Sequence, residues 1–171
     1  MIRKAAKTDL EAVARIYEEI ITEEEKGNCC IGWVRGIYPT RKTAETALQN
    51  GSLYVLEADG TVVASARIDH EQPPAYATIP WHQQFPPEKV LVLHTLTVSP
   101  TAHGHGYGRT IMAFYEAMAK EQGCCMRIDT NVKNSAQHFY FKLGYVPRGV
   151  IPCEFNGIEG VDLLCMEKCP E

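Results

Sequence analysis

The sequence predicts a mixed α/β (α+β) domain in which a glycine-rich loop joins a strand to a helix. Three observations predict it. Apolar residues recur alternately at helical and at strand spacing along the chain. The pairs Asp59-Gly60 and Asn156-Gly157 each separate two strand-like runs, which is a hairpin signal. Gly104, Gly106 and Gly108 occupy alternate positions between the apolar run "VLVLHTLTV" and a helical pattern. A chain of 171 residues is expected to form one domain over 1–171, with a core that needs no cross-links.

Thr8 and Glu11 have capping-box spacing, and Leu10, Val13, Ala14, Tyr17, Ile20 and Ile21 then form one apolar helix face. A second, shorter helix is expected from near Thr40, with Ala44, Ala47 and Leu48 inward and Gly51 just beyond its end. "SLYVLEADGTVVASARID" reads as two strands around the Asp59-Gly60 turn. Residues 71–88 hold five prolines, so they cannot extend a strand and are expected as a surface excursion. "VLVLHTLTV" is the next strand. Beyond the glycine loop, Ile111, Met112, Tyr115, Met118 and Ala119 mark a helix that stops at Gly123, and "CMRIDT" is a short strand. Asn134 caps a last helix, with Ala136, Phe139, Tyr140 and Leu143 on one face and Gly144 as its stop. A hairpin around Asn156-Gly157 completes the order β-α-α-β-β-β-loop-α-β-α-β-β.

Composition excludes several classes of function. The chain is 45% apolar and 22% charged, with a formal charge of −4, so it has no basic surface for nucleic acid. No apolar run approaches the ~18 residues of a membrane span, and "MIRKAAKTDL" lacks the apolar core of a signal peptide. A cytoplasmic protein is expected. Its seven cysteines are odd in number and contain no Cys-x-x-Cys, which favours reduced, mostly buried thiols over disulfides or zinc.

The glycine loop is the strongest functional signal, because it frees backbone N–H groups at a helix N-terminus to meet phosphate. A Walker loop needs a different glycine spacing and a lysine where Arg109 stands. A dinucleotide fingerprint would use Asp129, about 20 residues on, for a ribose. Its glycine spacing is wrong, however, and only 63 residues follow Gly108.

"VSPTAHGHGYG" resembles the acetyl-CoA loop of the GCN5-related N-acetyltransferase (GNAT) superfamily, in which Arg or Gln is followed by two residues, Gly, one residue, and Gly or Ala. Gly106 and Gly108 match, and His103 replaces the Arg or Gln. "NSAQHFYFKLGYVPRG" is similar to the superfamily's Asn, Ala, Tyr and Gly-Tyr motif, with Tyr140 four residues before Gly144 and Asn134 one residue closer to Tyr140 than usual. The element order matches as well, so the resemblance covers nearly the whole chain. It implies a mostly antiparallel sheet of about seven strands flanked by about four helices, splayed between the fourth strand, "VLVLHTLTV", and the fifth, "CMRIDT".

By that resemblance acetyl-CoA is the cosubstrate. Pantetheine would pair with the main chain of Leu96, Thr97 and Val98, and pyrophosphate would sit on Gly104, His105, Gly106, Tyr107, Gly108 and Arg109, with His103, Asn134 and Tyr140 completing the cofactor site. Tyr140 would protonate or hydrogen-bond the departing sulfur. His94, mid-strand and on the face of Val92 and Leu96 by strict alternation, is the first choice of base, unless a strand bulge re-aims it. His70, Glu71 and Glu88 are reserve bases acting through water. Trp33, Tyr38, Tyr76 and Trp81 fall in segments that wall the acceptor site in this superfamily, and Glu23 to Glu25 could attract a cation. Cys153 would matter only in a covalent scheme. The implied activity is acetyl transfer to a small-molecule or peptide amine by direct attack, without metal; a homodimer stays open. The alternatives are a non-catalytic acyl-CoA sensor and, lower, a dinucleotide-binding protein.

Overall fold

Each hairpin signal becomes a tight turn. Asp59 and Gly60 take φ of 50° and 74°, the left-handed pair that a type I′ turn requires, and join β2 (Leu53–Ala58) to β3 (Thr61–Asp69). Asn156 and Gly157, at 53° and 78°, do the same for β6 (Val146–Phe155) and β7 (Ile158–Lys168). In the computed structural model, which describes residues 1–169, these strands join β1 (Ile2–Lys4), β4 (Val90–Val98) and β5 (Cys125–Asn131) in one sheet of order β1-β2-β3-β4-β5-β7-β6. All neighbours are antiparallel except β4 and β5.

Side-chain alternation along the strands makes both faces apolar, and different elements cover them. Helices α1 (Leu10–Glu25) and α2 (Arg41–Gln49) pack on Leu53, Val55 and Val62. The opposite face, with Leu91, Leu93, Met126 and Ile128, is covered by α3 (Tyr107–Gln122) and α4 (Ala136–Lys142). Neither α1 nor α2 reaches the patch formed by Val90, Val92, Val161, Leu163 and Cys165; Tyr76, Ile79 and Trp81 bury it instead. The proline-rich segment is therefore a cover rather than the expected surface excursion. Its prolines keep it out of the sheet, and its apolar side chains still find a face to bury.

Two further expectations are corrected. Thr8 does not cap α1: a 3₁₀ turn at Lys7–Asp9 precedes the helix, and the Asp9 carboxylate accepts the Ala6 N–H at 2.7 Å while pairing with Arg3. The thiols are not all reduced, since Cys125 is disulfide-bonded to Cys169. Antiparallel register sets Met126 opposite Lys168, so the next positions outward, Cys125 and Cys169, face each other. That pairing is set by the sheet and carries no local spacing signal. Cys29, Cys30, Cys124, Cys153 and Cys165 are free thiols, of which Cys124 and Cys165 are buried. Among the described residues, no helix is long and apolar enough to cross a membrane.

The parallel pair β4–β5 positions the site. It runs only from Val90↔Cys125 to Leu93↔Ile128. At that level the fully buried Tyr115 of α3 shares its hydroxyl proton between the carbonyls of Leu91, at 2.6 Å, and Arg127, at 3.1 Å. The contact joins the two strands within their paired stretch, one to two residues before they part. Tyr115→Phe is expected to lower stability by about 1–2 kcal/mol, read as a fall of several degrees in melting temperature, because it deletes a buried donor to both strands.

Candidate active site

Beyond Leu93, β4 keeps only its β3 partner. Arg67 lies opposite His94 and Ser65 opposite Thr97, so three steps on β4 answer two on β3, and Thr95 takes φ of 49°. That is a bulge, and it reverses the side-chain alternation. His94 stays on the face of Val92, whereas Leu96 turns to the α3 side and packs on its cluster. The expected common face for His94, Val92 and Leu96 is thus broken at Thr95. Tyr38 fixes the bulge through a hydroxyl hydrogen bond to Thr95 Oγ1. Val98, like Leu96, turns toward the cavity, while Thr97 is buried on the other side and hydrogen-bonded to Ser65 at 2.7 Å.

The glycine loop forms an open cradle. Gly104 and Gly106 have φ of 84° and 76°, and a Cβ built on either meets no atom within 4 Å. Only there does the loop need glycine for its backbone. Gly106 precedes α3 without any side-chain cap, and among the described residues no backbone acceptor meets the N–H groups of Tyr107, Gly108 and Arg109. Those unpaired donors and the positive end of the helix suit a pyrophosphate. His103, His105 and Arg109 are exposed around the cradle, and the His105 and Tyr107 rings stack at 5.5 Å. Asn134 lines the cavity, yet its polar atoms already have protein partners: Oδ1 accepts Ala136 N–H at 3.0 Å, and Nδ2 donates to Thr130 Oγ1 at 2.9 Å. It ties the start of α4 to β5.

A cavity of about 640 Å³ runs from the cradle past Leu96, Val98, Phe139 and Tyr140 to Asp129 and Tyr38. In the fork between β4 and β5 a smaller space of about 40 Å³ is lined by His94, Asp129 and Tyr140. The structure therefore brings together the two catalytic residues expected from sequence, His94 and Tyr140, and adds Asp129. His94 Nε2 lies 3.1 Å from the Glu71 carbonyl and 3.3 Å from Asp69 Oδ1. Burial opposes ionisation of Asp69, but His94 and Arg67 overcome it and hold that carboxyl at about 2. Asp129 accepts the Tyr76 hydroxyl at 2.7 Å; burial pushes its pKa up, against that hydrogen bond. Burial, and then the charge of Asp129, push the Tyr140 phenol up.

The other candidates separate cleanly. His70 is bonded through Nδ1 to the Val90 carbonyl, Glu71 is exposed and paired with Arg67, and Glu88 is exposed at the start of β4. None of these three lines either cavity. Trp33 and Tyr38 wall the cavity as expected, but Tyr76 and Trp81 are core residues under the proline-rich cover. Of the three glutamates, Glu23 lines the cavity, Glu25 pairs with Arg35, and Glu24 accepts the N–H groups of Ile31 at 2.7 Å and Gly32 at 2.9 Å. Glu24 thereby folds the loop carrying Trp33 against β5, where a Cβ on Gly32 would stand 2.7 Å from Asn131. Cys153 is half-buried, and burial followed by the charges of Asp129 and Asp162 push its thiol up, which makes it a poorer nucleophile. Sequence reasoning missed Asp69, and it weighed Asp129 only as a ribose ligand. The available signal was its position in β5, two residues beyond Arg127 on the same face.

Residues 15–145 match the acetyltransferase (GNAT) family model, and the chain belongs to that family. It is an N-acetyltransferase with acetyl-CoA as acyl donor, the chemistry of the family. Among solved structures it is similar to a GNAT acetyltransferase from Streptococcus agalactiae, with 26% identity, a TM-score of 0.83, and coverage of 100% of this chain and 95% of that one. The ribosomal-protein-alanine N-acetyltransferase from Brucella melitensis shares the fold at 21% identity, with a TM-score of 0.73 and 99% of both chains covered. So does yncA from Salmonella typhimurium, a structure with acetyl-CoA, at 17% identity and a TM-score of 0.71, with 100% of this chain and 94% of that one covered. No curated protein sequence matches the chain.

Gly106→Val is expected to weaken acetyl-CoA binding by at least about tenfold in calorimetry, because its Cβ would enter the cradle. The positive φ adds a cost of about 1–2 kcal/mol, so circular dichroism should still report a folded protein.

Proposed function

We propose that this protein transfers the acetyl group of acetyl-CoA directly to a primary amine, without a covalent intermediate on the enzyme. The observation that carries the reading is the convergence of His94, Asp129 and Tyr140 on one small space at the point where the sheet opens. A sensor of acyl-CoA needs the cradle alone; these side chains would then have no task. A dinucleotide reading gives Asp129 a ribose to bind, whereas its carboxylate is held by Tyr76 beside the fork.

Bound acetyl-CoA supplies an acetyl thioester, which an uncharged amine can attack. The main chain of Leu96, Thr97 and Val98, unpaired on the β5 side, offers a strand edge to pantetheine amides. The N–H groups of Tyr107 to Arg109 meet the pyrophosphate. Together they hold the reacting carbon beside the fork and reduce the entropic cost of the encounter.

An alkylammonium has a pKa near 10.4 in water, so it must lose a proton before attack. With Nε2–H given to Asp69 and the Glu71 carbonyl, neutral His94 keeps its lone pair on Nδ1, the nitrogen left to accept that proton. Tyr140 stays protonated because burial disfavours its phenolate. It serves sulfur as a hydrogen-bond donor whose proton passes over as the C–S bond breaks. Full transfer beforehand is uphill by more than the ~1.5 pKa units that separate an ordinary phenol and thiol.

Tyr140→Phe is expected to retain acetyl-CoA affinity while kcat falls about 10- to 10⁴-fold. Wild-type turnover in this variant would remove Tyr140 from the chemistry. His94→Gln should lower kcat/KM about 10²- to 10⁴-fold in steady-state kinetics while acetyl-CoA affinity is kept. Retention of the wild-type rate in the folded variant would place the base elsewhere.

A further inference from the structure

Among the described residues, no lysine or arginine lines the cavity that reaches the fork; His103 stands at its cradle end, and Glu23 and Asp129 are its carboxylates. Arg67, the guanidinium opposite His94 in the strand register, is already bound to Asp69 and Glu71. Around Asp129 the walls are mainly aromatic and aliphatic, with Trp33 and Tyr38 from the segment after α1, and Phe155, Ile158, Val161 and Leu163 from the β6–β7 hairpin, beside the neutral polar side chains of Thr95, Thr130 and Asn131. Asp129 is oriented by the Tyr76 hydroxyl and lines the cavity.

Such a site discriminates by chemistry. An acceptor carboxylate would lose its water, find no cation, and face the charge of Asp129. A peptide would have to seat much of its backbone N–H and C=O groups against the aromatic and aliphatic walls, where they find no partner. An ammonium on an apolar body meets a carboxylate at one end and aromatic or branched side chains around the other.

We propose that the acceptor is a small primary amine on an apolar or aromatic body, lacking a carboxylate, and that Asp129 receives its ammonium group in the fork. This rests on the acetyl-transfer reading above and adds the acceptor class to it. A carboxylate that binds an ammonium also holds its proton more tightly, so a separate acceptor must remove it, and His94 lies in the same space. Two protons leave the nitrogen as the C–N bond forms and the C–S bond breaks. One passes through His94 to solvent, and the other replaces at Tyr140 the proton given to sulfur, so each turnover releases one proton.

The test compares phenethylamine, phenylalanine and an alanyl tripeptide amide at saturating acetyl-CoA. Wild-type kcat/KM for phenethylamine is expected to exceed that for phenylalanine by about tenfold or more, and to exceed that for the peptide. Asp129→Asn should lower kcat/KM for phenethylamine by about 10- to 100-fold, mainly through KM, and should narrow its lead over phenylalanine. Ile158→Arg places a guanidinium on the half-buried wall without touching Asp129, and should raise phenylalanine relative to phenethylamine; it keeps the test alive if Asp129→Asn misfolds. Preference for phenylalanine or the peptide in the wild type, or an unchanged ratio in the folded variants, overturns the acceptor assignment while leaving acetyl transfer intact. Acetyl-CoA binding by thermal shift with no turnover of any amine overturns acetyl transfer itself, and this proposal with it.

Discussion

The parting of β4 and β5 after Leu93 and Ile128 is the constraint on which the rest of the molecule depends. A parallel pair must be joined by a crossover, and here α3 supplies it, entering from the cradle and returning to β5 at Cys125. Because the strands separate as they approach that cradle, a ligand held by the helix N-terminus can run its extended arm down between them. Tyr115 closes the lower end of the wedge with its shared hydroxyl proton, and the Thr95 bulge shapes the upper end.

Around the fork, ionisable groups are arranged in pairs whose members lie on different elements. Asp69 of β3 holds His94 of β4, and Tyr76 of the proline-rich cover holds Asp129 of β5. Each carboxylate fixes a partner's orientation by accepting a hydrogen bond, and burial keeps the phenols of Tyr76 and Tyr140 protonated. A proton-transfer site assembled this way needs the cover as much as the sheet, since without Tyr76 the Asp129 carboxylate would lose its donor.

The cover is itself anchored by a buried acid opposite Arg127, one rung before the strands part. Glu167 of β7 accepts the His82 N–H at 2.9 Å and Arg148 Nε at 2.8 Å, and Arg127 lies 4.0 Å beneath the Trp81 ring. Arg127 also donates to Gln72 and to the Gln83 carbonyl, both within the same segment. A buried carboxylate is tolerated because two guanidinium groups and a backbone donor surround it. The Cys125–Cys169 disulfide ties the end of β7 to β5 beside this network.

Element type and order were legible in the chain because they rest on local physics. The periodicity of α1 and α3, the left-handed pairs Asp59-Gly60 and Asn156-Gly157, and glycines where a cradle needs unobstructed N–H groups each act within a few residues. The cradle residues, Tyr140 and His94 could be named from those signals and from the resemblance they supported. Tertiary structure decided everything that depends on two distant segments meeting. Leu96 left the face of His94 because β3 imposed a bulge on β4. The 71–88 segment became core cover because α1 and α2 leave part of the sheet bare. Cys125 met Cys169 through the β5–β7 register, and Asp129 gained its place in the site only where β4 and β5 separate. Side-chain alternation fixes which face a residue takes within its own strand, but the neighbour across the sheet, and the space between two strands, are set by pairing that no local sequence encodes.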